Sequence, residues 1–146
     1  LLRVLRRVHL FLLNESEARQ LTGAENVLKA AEGIRMMGPA IVVIKRGEYG
    51  AIARTERGWF SLPAFPVDGL KDPTGAGDSF AGGMIGYLCM RESLEEEAVR
   101  KAMAHGTAVA SFAVEEFGIG GLPGIGDLTL RARVRALAEM TRFDPD

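Results

Sequence analysis

A layered α/β fold, with a mainly parallel sheet between helices, is what this sequence predicts, and three observations carry the prediction. "AIVVIK" (residues 40–45) is β-branched and nearly all apolar, as a strand covered on both faces must be. Apolar residues at helical spacing stand before it and again well after it. The order strand, helix, strand, short strands and then helices is that of an α/β layer chain without internal repeats.

Each element has its own signal. Residues 1–7 read as the end of an amphipathic helix, and "VHLFLL" (8–13) as a short buried strand that stops at Asn14. Val27, Leu28, Ala31, Ile34 and Met37 recur at helical spacing, and "MGP" (37–39) ends that helix. After the strand at 40–45, "RGEYG" has turn chemistry, and "AIAR" and "WFSL" form a meander around "TERG". From Ala76 a helix is expected with Phe80, Met84 and Leu88 on one buried line and Ala81, Ile85 and Cys89 beside it. Gly82, Gly83 and Gly86 weaken that helix by up to ~1 kcal/mol each, which points to close backbone packing. Residues 94–113 give a second helix, 118–127 a loop, and 128–140 a terminal helix with arginines outward. Trp59 and Phe60 are expected in the core, and His9 as a structural strand residue.

Composition narrows the function classes. The 146 residues, 47% of them hydrophobic and 25% charged, amount to about one domain with one sizeable core. Eighteen basic against 19 acidic residues leave a net charge of −1, so no broad field favours nucleic acid or an anionic membrane. The single cysteine, Cys89, excludes an internal disulfide framework, and two histidines are too few for a Cys/His zinc cluster. A reducing, cytoplasmic setting is expected. The opening "LLRVLRRVHLFLL" is too short an apolar run for a signal or a membrane span and lacks a small-residue cleavage site. The chain does not begin with Met, and the expectation is that translation starts upstream.

The chemistry concentrates in "DPTGAGDSF" (72–80). Glycines let consecutive backbone N–H groups face one point, and the helix that begins there adds its positive dipole end, so the loop is an anion site. Neither a Walker A loop nor a G-x-G-x-x-G dinucleotide fingerprint is present. Asp78 reads in two ways: as a carboxylate favoured in the first helical turn, or as a proton acceptor facing the anion site. A kinase needs the second arrangement, because a hydroxyl that attacks a phosphoryl group must lose its proton while amides carry the developing charge. Asn14 and Glu17, three apart at a strand-to-helix junction, form a capping pattern on their own. Gly47 and Gly50 read as a hairpin turn.

"DPTGAGDSFAGG" (72–83) resembles the C-terminal signature of the ribokinase-like, or PfkB, sugar and nucleoside kinases. "NESE" (14–17) is similar to that family's N-x-x-E, and "IKRGEYGA" (44–51) to its strand and G-x-x-G turn. The resemblance spans residues 8–121 and corresponds to the C-terminal half of a usual member. It implies a three-layer αβα ribokinase-like sandwich, of which residues 1–146 would be the nucleotide-binding and catalytic part, with the N-terminal half of the same kinase as partner. It implies transfer of the γ-phosphoryl of ATP to a hydroxyl of a sugar or nucleoside, with Mg²⁺ and a monovalent cation such as K⁺.

Residue by residue, the resemblance makes Asp78 the catalytic base and the amides of Gly75, Ala76 and Gly77 the anion hole. Asp72 and Thr74 would belong to the monovalent-cation site, with carbonyl ligands from residues 110–118. Glu17 would organise Mg²⁺ and Asn14 would lie near the phosphates. The turn at Gly47 and Gly50 would border the nucleotide, and His105 the adenine. Lys45 stands where many members carry Thr, and it is either a phosphate partner or a solvated strand end. The acceptor is not legible, since the family holds it mainly through the N-terminal half. Two other readings are a nucleotide- or anion-binding fragment without catalysis and a dinucleotide-binding oxidoreductase domain, which the missing fingerprint disfavours.

Overall fold

The computed structural model describes residues 1–145. They form two compact units, Leu1–Pro63 and a second from Ala64 onward. The first contains α1 (Leu2–Leu5), β1 (Leu10–Asn14), α2 (Glu15–Thr22), α3 (Val27–Met36), β2 (Ile41–Lys45), β3 (Ala51–Thr55) and β4 (Gly58–Leu62). Its sheet runs in the order β1-β2-β3-β4. β1 and β2 are parallel, with Leu10 opposite Ile41 and Asn14 opposite Lys45. β2 with β3 and β3 with β4 are antiparallel.

This corrects the expectation of a mainly parallel sheet: one ladder of three is parallel. The cause is connection length. Parallel strands need a long crossover, which α2 and α3 supply between β1 and β2, whereas the short turns after β2 and β3 only permit reversal. The meander read from "AIAR" and "WFSL" is the antiparallel part.

Period-two alternation puts Leu13, Val42, Ile44 and Ile52 on one sheet face, where they pack with Ala18 of α2 and Ala30, Ala31 and Ile34 of α3. β2 is buried at four of its five residues, as its unbroken apolar run requires. His9 and Trp59 are exposed; the Trp59 ring lies 5.4 Å below the Arg54 guanidinium, which is itself paired with Glu32 at 2.7 Å. Trp59 is not the core residue expected, because in β4 every second side chain faces outward, and His9 stands just before β1.

The second unit contains α4 (Ala76–Arg91), α5 (Glu96–Val114) and α6 (Asp127–Thr141). Phe80, Met84 and Leu88 of α4 are buried, as are Val99, Ala102 and Met103 of α5 and Leu137 of α6. Ile85 is 44% exposed and Cys89 is exposed, so the buried stripe of α4 is one residue row wide. Of the three α4 glycines, Gly83 alone sits at a close approach: a Cβ there would lie 2.9 Å from Val109 and 3.1 Å from Gly106. Around Gly82 and Gly86 there is open space. Among the described residues no helix is long and apolar enough to cross a membrane.

Candidate active site

In the first unit, the C-terminal ends of β1 and β2 bring two sequence-distant segments together. Asn14 ends β1 and caps α2: its Oδ1 accepts from the Glu17 N–H at 2.8 Å, and its own N–H donates to Glu17 Oε2 at 2.8 Å. The capping pattern of Asn14 and Glu17 is therefore formed in full. Lys45 lies opposite Asn14 in the ladder and is partly buried. After it, residues 47–49 make one 3₁₀ turn, with Gly47 at φ 56° and Gly50 at φ 81°, closed by the Arg46 N–H donating to the Gly50 carbonyl at 2.8 Å. An ion pair between Arg46 Nε and Glu15 Oε2 at 3.0 Å ties this turn to the start of α2. Arg19 first, and then Arg46, hold the Glu15 carboxyl below the usual carboxylate range. Sequence reasoning missed this tie, because nothing local links Glu15 to a residue 31 positions later.

In the second unit, the glycine loop meets α4 at Gly75, whose φ of 80° is left-handed. A Cβ there would touch nothing within 4 Å, so the backbone conformation, not space, requires glycine. The Ser79 N–H donates to the Gly75 carbonyl at 2.8 Å and starts the helix, and the Ala76 N–H donates to the Pro73 carbonyl at 3.2 Å. Asp78 is the third residue of α4 and is exposed. No side-chain hydrogen bond caps this helix.

Asp72 organises the approach to the loop. Its Oδ1 accepts from the Thr74 N–H at 2.9 Å and its Oδ2 from the Gly118 N–H at 3.4 Å. Its carboxyl is held below the usual aspartate range, first by the Thr74 N–H, then by the Thr74 side chain, then by Gly118. The N–H groups of Lys71 and Asp72 both donate to the Val114 carbonyl, at 2.8 and 3.3 Å. Lys71 also pairs with Glu116 at 2.8 Å. Asp72, Thr74 and the segment after α5 are thus joined, and the Gly118 partner lies 46 residues away with no sequence signal.

A cleft of about 560 Å³ opens beside the loop, lined by Thr74, Gly75 and Asp78 together with apolar groups such as Val109, Ile119 and Leu122. His105 lies elsewhere in the unit: its ring stacks on Tyr87 at 4.3 Å, and Tyr87 stands ten residues beyond Gly77, ~15 Å along α4. Among the described residues, no cluster of three or more His, Cys, Asp or Glu is placed to hold a metal.

A glycine loop heading a helix is an arrangement that attracts anions. Residues 1–123 match the model of the pfkB family of carbohydrate kinases, and the chain belongs to that family. It is 39% identical over 95 residues to the cytidine kinase of Thermococcus kodakarensis, covering 64% of this chain and 34% of that protein. It is 40% identical over 103 residues to the 1-phosphofructokinase of Escherichia coli, covering 70% and 31%. Its fold is similar to that of aminoimidazole riboside kinase from Salmonella enterica, crystallised with aminoimidazole riboside and an ATP analogue. The TM-score there is 0.81 at 28% identity, over 91% of this chain and 44% of that one. The chain therefore spans about a third of the length of the kinases it matches in sequence.

Proposed function

We propose that this chain is the ATP-binding and catalytic-base part of a cytoplasmic kinase that phosphorylates a hydroxyl of a sugar or nucleoside. The observation that carries the reading is a contrast between two carboxylates at the same helical position. Glu17, third in α2, is turned back onto its own cap. Asp78, third in α4, forms no such cap and lines the cleft beside the glycine loop. A carboxylate kept in that place serves a proton transfer better than it serves the helix.

In the reaction, Asp78 takes the proton of the acceptor hydroxyl as its oxygen bonds to the γ-phosphorus of ATP. The bond from that phosphorus to the β–γ bridging oxygen breaks, and ADP leaves. The N–H groups of Gly75, Ala76 and Gly77, with the dipole of α4, stabilise the charge on the transferred group. The Ala76 N–H exchanges its 3.2 Å bond to Pro73 for this role. Taken by itself, the first unit offers Asn14 and Lys45 to phosphates and the turn at Gly47 and Gly50 to a nucleotide.

The donor sets fit the implied ions in different ways. The Glu17 carboxylate is a hard oxygen donor of the kind Mg²⁺ takes beside several waters and phosphates. Glu17 would then meet it in part through water, and Mg²⁺ would neutralise phosphate charge. Asp72 and the backbone around Thr74 are hard oxygen donors of the kind a monovalent cation takes. The Val114 carbonyl is committed to Lys71 and Asp72, so further ligands would come from other carbonyls of the segment after α5.

A nucleotide- or anion-binding role without catalysis is the second reading, since the glycine loop and the start of α4 would serve an anion whether or not Asp78 takes a proton. Calorimetric titration with Mg·ATP and with NAD⁺ tests what both readings share. Weak saturable binding of Mg·ATP and none of NAD⁺ is expected; the reverse preference would overturn both.

A further inference from the structure

Arg133 of α6 is a charged residue that the site described above does not use, yet it is among the most engaged side chains of the second unit. Its side chain is 18% exposed. Nη1 and Nη2 donate to the two carboxylate oxygens of Glu115 at 2.9 and 3.2 Å, and Nη1 also donates to Ser111 Oγ at 2.9 Å. The guanidinium lies 3.6 Å from the centre of the Phe112 ring and 5.0 Å from that of Phe65. A planar fork with an aromatic face against it is a geometry that Arg meets and Lys does not.

The residues that Arg133 grips are the last turn of α5. Val114, between Phe112 and Glu115 in that turn, presents the carbonyl that receives the Lys71 and Asp72 N–H groups. Four residues on, Gly118 donates to Asp72. Asp72 in turn accepts from Thr74, at the entry to the glycine loop. One continuous set of contacts therefore runs from α6 through the end of α5 to the loop.

We propose that Arg133 is a positioning residue, which fixes the end of α5 through Glu115, Ser111 and Phe112 and thereby sets Asp72 and the turn leading into the glycine loop. The importance of this position for nucleotide binding rests on the phosphotransfer reading above; the hold on Asp72 does not.

The test compares the parent chain with Arg133→Met and Arg133→Lys by residue-resolved amide hydrogen exchange and by titration with Mg·ADP. Arg133→Met is expected to speed exchange at Lys71, Asp72 and Gly118 about tenfold or more while Met84 and Met103, inside α4 and α5, stay within about threefold. Mg·ADP binding should weaken about tenfold, and Arg133→Lys, which keeps the charge over Phe112 but loses the fork, should recover part of both effects. Unchanged exchange at the three amides, or an equal rise throughout the unit, would overturn the proposal. If Arg133→Met does not fold, Glu115→Gln, which breaks the pair while leaving α6 intact, is read by the same criteria. Should the parent bind no Mg·ADP while the three amides still respond, the hold on Asp72 is upheld and the phosphotransfer reading fails.

Discussion

Asp78 and Glu17 show how little a residue's helical position says until its contacts are known. Both are acidic residues in a first turn, where the helix dipole favours negative charge. Glu17 is spent on a backbone N–H at 2.8 Å, while Asp78 faces a cleft. In a catalytically competent form of the protein, Asp78→Asn is expected to lower kcat by roughly two to four orders of magnitude and leave Mg·ATP affinity unchanged or tighter. Asparagine preserves the size of the side chain but cannot take the acceptor's proton, and it removes a negative charge near the phosphates. Steady-state kinetics with both substrates varied checks this.

His105 carries a second expectation at the same scale. Burial, and then the charge of Arg131, push its pKa below the ordinary histidine value, with Asp127 opposing. A lowered histidine pKa means that the folded state prefers the neutral ring. Its contribution to stability is therefore full above about pH 6.5, the unfolded value, and is lost as pH falls below that through the folded pKa. Histidine NMR should show His105 titrating below 6.5, and Arg131→Ala should move it upward.

Between elements, α4 and α5 meet where side chains are missing. A Cβ on Gly106 would lie 2.6 Å from the Phe80 carbonyl oxygen, and one on Gly83 2.9 Å from Val109. Gly106→Ala is expected to destabilise the chain by roughly 1–3 kcal/mol, since backbone has to move to admit the methyl group. Gly86→Ala, in open space on an exposed stretch of α4, should instead stabilise by roughly 0.5–1 kcal/mol. Chemical denaturation of the two variants separates these signs. Glycines at positions 82, 83 and 86 look alike in sequence, and helix propensity treats them alike; only the partner helix distinguishes Gly83. Helix α4 was legible from the spacing of Phe80, Met84 and Leu88, whereas the exposure of Ile85 and Cys89 depends on how narrow the contact with α5 is.

At the scale of the whole molecule, element types were legible because long apolar periodicities and turn residues are local signals. The parallel or antiparallel sense of each ladder follows from connection length, and the apolar character of β2 alone does not distinguish the two. Within the candidate site, the loop and its flanking aspartates were legible as a motif. The ties Glu15–Arg46, Asp72–Gly118 and Arg133–Glu115 were not, since each joins residues far apart in sequence. The chain by itself is expected to phosphorylate no sugar or nucleoside efficiently. Groups that orient an acceptor can account for several kcal/mol of a barrier, and no acceptor site is legible in these residues. Acceptor-dependent ADP release at rates typical of kinases, about 1–100 per second, would show that the chain is sufficient.

The most direct test of the account is an amide chemical-shift titration of the chain with Mg·ADP. The account predicts that the responding residues fall in two patches, Asn14 and Glu17 with the turn from Lys45 to Gly50, and the loop from Gly75 to Asp78, while the exposed face of α3 stays silent. Binding that leaves the Gly75, Ala76, Gly77 and Asp78 amides unmoved would contradict it, because the anion would then be held by something other than the glycine loop.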